Sequence, residues 1–320
     1  MPITLFYILY CSLLMKHITI GIFHDEKLGS ELGKKGTASD ILMFNRKTDD
    51  CVFTFMSPIE DKLTTKTMII STSDAAIISC EQITPEVGET ILLLDSVGIK
   101  NGIIIVPEYS DTTQLEKLIK DTSLQNFIIT NKDMPKIMQI LSEINPERDT
   151  SAPVSIIVDH SFSVKGVGEV ILGVVKQGKI HKHDKMLLIP INKEVVVRSI
   201  QMQDKDFDEA TAGCRVGLAI KGASAEEMKR GSVFTVEEGA KTDTKFTLKF
   251  TKNSFYPELK KGVFHLTVGM QSIPVNITEI AENKISIEAE KPVCYTKDDN
   301  FILLDLNAQK LHHIGTGKIA

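Results

Sequence analysis

The chain has 320 residues, of which 42% are hydrophobic and 25% are charged, and its formal net charge is −5. This length exceeds one ordinary hydrophobic core and predicts two or three domains, while the composition excludes extended disorder. The acidic balance excludes a protein that coats nucleic acid by bulk charge, since such binding requires Lys and Arg to neutralise phosphates, and we expect no DNA partner.

The cysteines and histidines give no signal for a disulfide framework or a metal site. No CxxC pair is present, so the thiols are expected to be buried in a reducing cytoplasm. His181 and His183 alternate across a predicted turn without a third ligand, and we expect no metal. The five cysteines are Cys11, Cys51, Cys80, Cys214 and Cys294.

The first fourteen residues differ in character from the rest of the chain. Residues 3–15 are apolar but too short for a typical transmembrane helix, and no basic residues precede them. Met15 is followed by Lys16 and the strand-like sequence HITIGIF, which predicts that translation starts at Met15 and that residues 1–14 are a misannotated leader. A membrane anchor or signal peptide is the alternative, and we expect no membrane partner. Mass spectrometry of the native N-terminus separates the two possibilities.

Residues 15–150 alternate apolar runs with helical patterns, as in an α/β fold with a mainly parallel sheet. Residues 87–98, VGETILLLDSVG, have apolar positions at helical spacing and a glycine at the predicted end. The predicted strands are residues 18–23, 51–56, 75–79, 102–106 and 127–130.

Residues 151–238 begin with a β-hairpin signal. Two apolar runs, residues 156–159 and 169–175, flank the turn KGVG at residues 165–168. Gly166 and Gly168 supply the backbone freedom that a tight turn or bulge needs. Taken alone, this fragment fits any small β-barrel.

Residues 244–310 predict a second β-barrel after the polar connector EEGAKTD at residues 237–243. Four segments alternate or cluster apolar residues as strands do: 246–251, 263–268, 272–280 and 284–289. The tail, residues 311–320, contains glycines, is basic and is expected to fray.

Three further motifs come after the hairpin: VVVRSIQM at residues 195–202, AGCRVG at 212–217 and MKRGSV at 228–233. Their order and spacing resemble the second domain of translation elongation factors of the elongation factor Tu and SelB-like family. The segment LGKKGTASD at residues 32–40 is similar to that of archaeal, methanogen-type SelB-like paralogues. The resemblance implies a P-loop GTPase-like doubly wound α/β domain followed by two β-barrels, partners among aminoacyl-tRNA and the ribosome, and GTP hydrolysis as the family activity.

The phosphate-binding motif of that family is degenerate. G-x-x-x-x-G-K-[ST] needs glycines around the phosphates, a lysine to neutralise them and a hydroxyl for magnesium. GIFHDEKL at residues 21–28 keeps only Gly21 and Lys27, and an ordinary solvated lysine is the favoured alternative for Lys27. Glu26 places a negative charge where phosphate would bind, and Leu28 cannot bind magnesium.

The other nucleotide motifs are also missing. The strand that should end in D-x-x-G reads FTFMSP at residues 53–58, and the N-K-x-D position reads PEYSD at residues 107–111. Asp111 is its only remnant, and NKD at residues 131–133 lacks the spacer residue and lies after the next strand. We therefore predict a pseudo-GTPase without catalytic residues and expect no cofactor, with GTP and magnesium bound only if the altered loop still holds them.

Five residues are candidate RNA contacts. Arg215 lies in AGCRVG, where the resemblance places a residue near the aminoacyl pocket, and Lys165, Arg198 and Lys221 are candidate phosphate contacts. His265 lies in FHLTVGMQS, which is similar to a third-domain strand that faces the tRNA stem. An ordinary solvated charge, or a half-buried strand histidine, is the alternative for each.

The sequence supports three functional hypotheses. The leading one is a noncatalytic elongation factor-like protein that binds tRNA or the ribosome through its barrels. The alternatives are a divergent but active GTP-binding translation factor and an interaction scaffold outside translation. A GTP-dependent rise in melting temperature separates the first two, and salt-dependent tRNA binding counts against the third.

Overall fold

The computed structural model describes residues 15–320, so the predicted leader lies outside the described residues. The first domain contains one sheet in the order β2-β3-β4-β1-β5-β6-β7. β1 lies between β4 and β5, and the run from β4 through β1, β5 and β6 to β7 is parallel, as predicted. The strands are β1 (Lys16–Phe23), β2 (Lys34–Ala38), β3 (Ile41–Lys47), β4 (Cys51–Pro58), β5 (Ala75–Ser79), β6 (Gly102–Ile105) and β7 (Ile128–Thr130).

Helices cover both faces of this sheet, as in doubly wound folds. α2 and α3 bury Ile69 and Leu94 in one apolar cluster, while α1 and α5 bury Leu28 and Leu141 in the other. The predicted helix at residues 87–98 is α3, which ends at Gly98 in the left-handed conformation (φ 82°). The helices are α1 (Leu28–Leu32), α2 (Leu63–Thr72), α3 (Pro85–Val97), α4 (Thr113–Ile119) and α5 (Met134–Glu143).

The second domain is a barrel in which six strands close in the order β11-β16-β8-β9-β15-β12, with β13 paired to β12. The predicted hairpin is β8–β9, and Gly166 and Gly168 have φ values of 84° and 103°. The strands are β8 (Ser155–Val164), β9 (Gly168–Gln177), β10 (Lys179–His181), β11 (Lys185–Ile189), β12 (Lys193–Met202), β13 (Lys205–Phe207), β14 (Glu209–Thr211), β15 (Arg215–Lys221) and β16 (Val233–Thr235).

The third domain is a closed barrel in the order β17-β20-β19-β18-β21-β22. The prediction of a frayed tail at residues 311–320 is wrong, because β22 pairs with both β21 and β17 and so closes the barrel. A Cβ on Gly315 would lie 2.3 Å from the Thr251 carbonyl oxygen. Glycine at this position therefore allows two strands to pack closely and does not mark a loop. The strands are β17 (Lys241–Lys252), β18 (Gly262–Val268), β19 (Gln271–Ala281), β20 (Lys284–Tyr295), β21 (Phe301–Leu304) and β22 (His313–Ile319).

Hydrogen bonds from the interdomain linker and apolar packing hold the two barrels against the first domain. Arg148, in the linker to the first barrel, donates to both carboxylate oxygens of Asp74 at 2.7 Å and to the His17 carbonyl at 2.9 Å. The third domain inserts Met270, Ile302 and Leu304 into the apolar cluster around α2 and α3. The three domains therefore share buried surface. Across residues 15–320, every helix is too short or too polar to cross a membrane.

Candidate functional site: a cationic cleft between the first domain and the first barrel

The loop after β1 is stabilised by its own side chains. Gly21 is buried in β1, where a Cβ would lie 2.7 Å from the ring of Phe23. Lys27 is exposed at the start of α1. One carboxylate oxygen of Asp25 accepts hydrogen bonds from the backbone N–H groups of Lys27 and Leu28, both at 3.0 Å. The amides that begin α1 are therefore occupied by a carboxylate from within the chain.

A distant lysine completes this arrangement. Lys132, from the NKD sequence, pairs with Asp25 at 3.2 Å and with Glu31 at 2.8 Å. The neighbouring Asp133 accepts a hydrogen bond from the Lys136 amide and begins α5. The NKD residues thus stabilise two helix starts in this structure.

Asp111 lies after β6 and is exposed. Its carboxylate accepts a hydrogen bond from the Thr113 amide at 2.9 Å, and hydrogen bonds from Thr113 lower the pKa of Asp111. Within residues 15–320, Gly21, Lys27 and Asp111 lie in segments near the carboxyl edge of the sheet, but no hydrogen bond or ion pair joins them. Nucleotide binding by these three residues stays a prediction.

A cleft of about 390 Å³ opens between β2 of the first domain and strands β12 and β15 of the first barrel. Lys34 and Lys35 are exposed on the first-domain wall, and Arg215 lies on the barrel wall. Asp204 is the one carboxylate among the lining residues of this described cleft. The remaining lining residues are Gly36, Thr37, Asn45, Leu172, Gln201, Met202, Gln203, Val216 and Gly217.

Sequence reasoning missed the two lysines of this cleft. The segment LGKKGTASD resembles a family hallmark, and in the structure it forms the end of α1, β2 and the following turn. Asn45 of β3 pairs with Lys34 across the β2–β3 hairpin, and Thr37 of β2 contacts Arg215 of the barrel. Two adjacent lysines inside a hallmark segment are the sequence feature that could have indicated this site.

Arg215 connects the barrel with the first domain. Its guanidinium forms an ion pair with Asp159 of β8, and it also donates to the Thr37 hydroxyl of β2 at 3.3 Å. The side chain of Asp159 is 3% exposed and that of Arg215 is 12% exposed. Burial alone raises the pKa of Asp159, but the charge of Arg215 and hydrogen bonds from His160 and Arg215 outweigh it, so the pKa lies below its ordinary value.

The structure brings three other RNA candidates together at the far end of the same barrel. Lys165 lies in the β8–β9 turn, Arg198 on β12 and Lys221 at the end of β15, and all three are exposed. Strand pairing places Lys221 opposite Val196, and the Arg198 guanidinium lies 4.0 Å from where a Cβ of Gly168 would be. No ion pair to any of the three exists within residues 15–320. These residues form a basic barrel end.

His265 lies apart from both groups. It is half-buried on β18 of the third domain, opposite Pro274 of β19 and Leu304 of β21. RNA contacts by His265, and by the four basic candidates, stay predictions.

Comparison with known proteins gives consistent results. The family model described as elongation factor Tu domain 2 matches residues 168–235. An uncharacterized protein of Methanocaldococcus jannaschii is 38% identical over 310 residues, which cover 95% of this chain and all of that protein. The selenocysteine-specific elongation factor of the same organism is 28% identical over 233 residues, covering 65% of this chain and 49% of that factor.

Solved structures show the same three-domain fold. Translation elongation factor SelB from Methanococcus maripaludis, in complex with the GTP analogue GppNHp, has a TM-score of 0.81 at 23% identity and covers 95% of this chain and 79% of its own. A bacterial selenocysteine-specific elongation factor has a TM-score of 0.80 at 20% identity, over 95% of this chain and 58% of its own. The motif order, the α/β domain and the two six-stranded barrels agree with these matches, and the chain has a SelB- and elongation factor Tu-like architecture.

Proposed function

We propose that this translation factor-like chain binds the aminoacylated end of a tRNA in the cationic cleft, without hydrolysing GTP. The observation that carries the proposal is the cleft itself, in which Lys34 and Lys35 of the first domain face the barrel wall that carries Arg215. Its volume of about 390 Å³ lies in the range of pockets that enclose small organic groups. The site of action is proposed to be the cytoplasm.

Charge and hydrogen-bonding groups support an RNA end as the ligand. Lys34 and Lys35 stand against one lining carboxylate and attract phosphates, whereas the charge of Arg215 is already paired with Asp159. Gln201, Gln203 and Asn45 offer amides for ribose and base atoms. The basic barrel end offers further phosphate contacts to the same RNA or to the ribosome. A volume of about 390 Å³ suits a short single-stranded end and is too small to enclose a duplex.

Removing the two lysines should weaken tRNA binding selectively. We expect the double variant Lys34→Ala/Lys35→Ala to lose about tenfold in tRNA affinity near physiological salt and to reduce the salt slope by about 1 to 2, because each lysine neutralises about one phosphate. Both side chains are exposed, so the melting temperature should not change. Fluorescence titration of labelled tRNA at several salt concentrations measures both quantities.

The chain provides a matched control for this variant. Lys260 and Lys261 are also adjacent, exposed and followed by glycine, but they lie in the third domain. Lys260→Ala/Lys261→Ala should leave affinity nearly unchanged. Equal losses in the two double variants would contradict binding in the cleft and would indicate nonspecific charge attraction.

The first domain is proposed to serve as a wall of the cleft. Asp25 occupies the amides at the start of α1, and Lys132 is already paired with two carboxylates. We expect no rise in melting temperature with millimolar GTP and magnesium, whereas a ligand at a hundredfold its Kd would stabilise the chain by about 2.7 kcal/mol. A rise that Lys27→Ala abolishes would instead support the divergent GTP-binding factor.

A further inference from the structure

Side chains bridge the loops that follow β1 and β4. One carboxylate oxygen of Glu26 accepts a hydrogen bond from the Glu60 backbone N–H at 2.8 Å. Glu60 and Asp61 have φ values of 54° and 48°, a left-handed conformation that residues with a Cβ seldom adopt. Such a conformation persists where the surroundings enforce it. Residues 59–61 are therefore held in place by their contacts.

Buried groups continue this bridge into α2. Asp61 pairs with Lys66 of α2 at 2.8 Å, and Lys66 also donates to the Thr90 hydroxyl of α3 at 3.2 Å. His24, in the loop after β1, contacts the same Thr90 hydroxyl at 2.9 Å. Lys66 and Thr90 are buried, so the loss of one partner leaves a polar group without water.

A second branch reaches the first barrel through Asp40. The Asp40 carbonyl accepts from the Ile59 amide at 2.9 Å, and its carboxylate accepts from the Thr65 hydroxyl of α2 at 3.0 Å. The other carboxylate oxygen pairs with Arg230 of the barrel, and Arg230 also donates to the Ser39 hydroxyl at 2.6 Å. Burial raises the pKa of Asp40, but its bond to Arg230 and the charge of Arg230 leave it lowered, so the carboxylate is charged at neutral pH.

The third domain is joined to the same helix. The Thr67 hydroxyl of α2 contacts the Thr267 hydroxyl of β18 at 2.9 Å, and both residues are buried. The Gly269 amide donates to the Ser71 hydroxyl at 3.1 Å. α2 thus contacts the loop at residues 59–61, the first barrel through Asp40 and the third domain directly.

We infer that Glu26, Asp40, Asp61, Lys66 and Arg230, together with Thr67 and Ser71 of α2, which contact the third domain, form an interdomain clamp that keeps the three domains in one arrangement without a bound nucleotide. A ligand shifts a conformational equilibrium only through its differential affinity for the two states. Here the contacts that join the loop after β1 to both barrels come from the chain itself. The inference rests on the proposed function, because the clamp would keep the cleft between the first domain and the first barrel assembled.

Hydrogen exchange measured by mass spectrometry tests the coupling from the far end of the clamp. Glu26→Ala removes the acceptor for Glu60, whereas Glu26→Gln keeps an acceptor oxygen in the same place. We expect Glu26→Ala to raise exchange at least about threefold in residues 34–41 and 228–232 as well as in 59–61, while Glu26→Gln stays close to the original protein. Faster exchange confined to residues 24–28 and 59–61 would overturn the inference.

The barrel side of the clamp gives a second, independent test. Arg230→Ala should raise exchange in residues 59–72 and increase the radius of gyration in small-angle scattering, while the neighbouring exposed Lys229→Ala should do neither. An unchanged radius and unchanged exchange in Arg230→Ala would refute the clamp. Titrating the same samples with tRNA separates the two proposals, since a chain that shows the expected coupling and binds no tRNA keeps the clamp and loses the proposed function.

Discussion

Replacing Asp159 with alanine is expected to lower the free energy of unfolding by about 3 to 5 kcal/mol. The carboxylate is almost completely buried and pairs with the guanidinium of Arg215, while His160 hydrogen-bonds to it at 2.8 Å. Its removal leaves a largely buried arginine without a counter-ion, which costs more than the ion pair itself contributes.

Urea unfolding at neutral pH measures this loss. Asp298→Ala, at an exposed site, is the control and should change stability by less than about 0.5 kcal/mol. The double variant Asp159→Ala/Arg215→Ala should be more stable than Asp159→Ala alone, because it no longer buries an unpaired charge. A loss below about 1 kcal/mol in Asp159→Ala would mean that Arg215 reaches water or another partner.

Acidification is expected to destabilise the fold between pH 6.5 and 4 through the half-buried His17 and the buried His313. Burial, together with the charges of Arg148 and Lys47, lowers the pKa of His17 to about 4, and burial lowers the pKa of His313 to about 4. As pH falls, both histidines therefore become protonated in the unfolded chain at a higher pH than in the folded chain. Their stabilising contribution is complete above the unfolded pKa and is lost as pH falls toward the folded pKa, by about 3 kcal/mol each.

Urea unfolding at pH 7 and pH 4.5 tests this pH dependence. Carboxylates also titrate in this range. The contribution of the histidines is therefore the difference between variants in the stability lost from pH 7 to pH 4.5. His313→Asn should lose about 2 kcal/mol less on acidification than the original chain does, while His183→Gln, at an exposed site, should behave like the original. Identical losses in all three proteins would show that His313 is not kept neutral by burial.

The sequence predicted the elements whose burial is nearly continuous. The central strands of the first domain were found because β1 and β4 are apolar runs that helices cover on both faces. β2 was missed because KKGTA is polar and largely exposed, and pairing with β3 alone makes it a strand. β22 was missed because its glycines and lysine resemble a loop, although barrel closure requires that strand.

The sequence predicted some residues of the site but not the partners with which those residues pair. Arg215 was a candidate and lines the cleft, but its partner Asp159 is 56 positions away and meets it only through the register of β8, β9 and β15. The difference between residues 21–28 and the pattern G-x-x-x-x-G-K-[ST] could be read directly from the sequence. The capping of α1 by Asp25 and its pairing with Lys132, 107 positions away, depend on the folded sheet.

The central claim is RNA binding that does not depend on nucleotide, and titration of aminoacylated tRNA with and without GTP and magnesium tests it most directly. The clamp and the occupied start of α1 predict the same Kd under both conditions. A tenfold tightening by GTP, equal to about 1.4 kcal/mol of coupling between the two sites, would contradict the account and establish a working nucleotide switch.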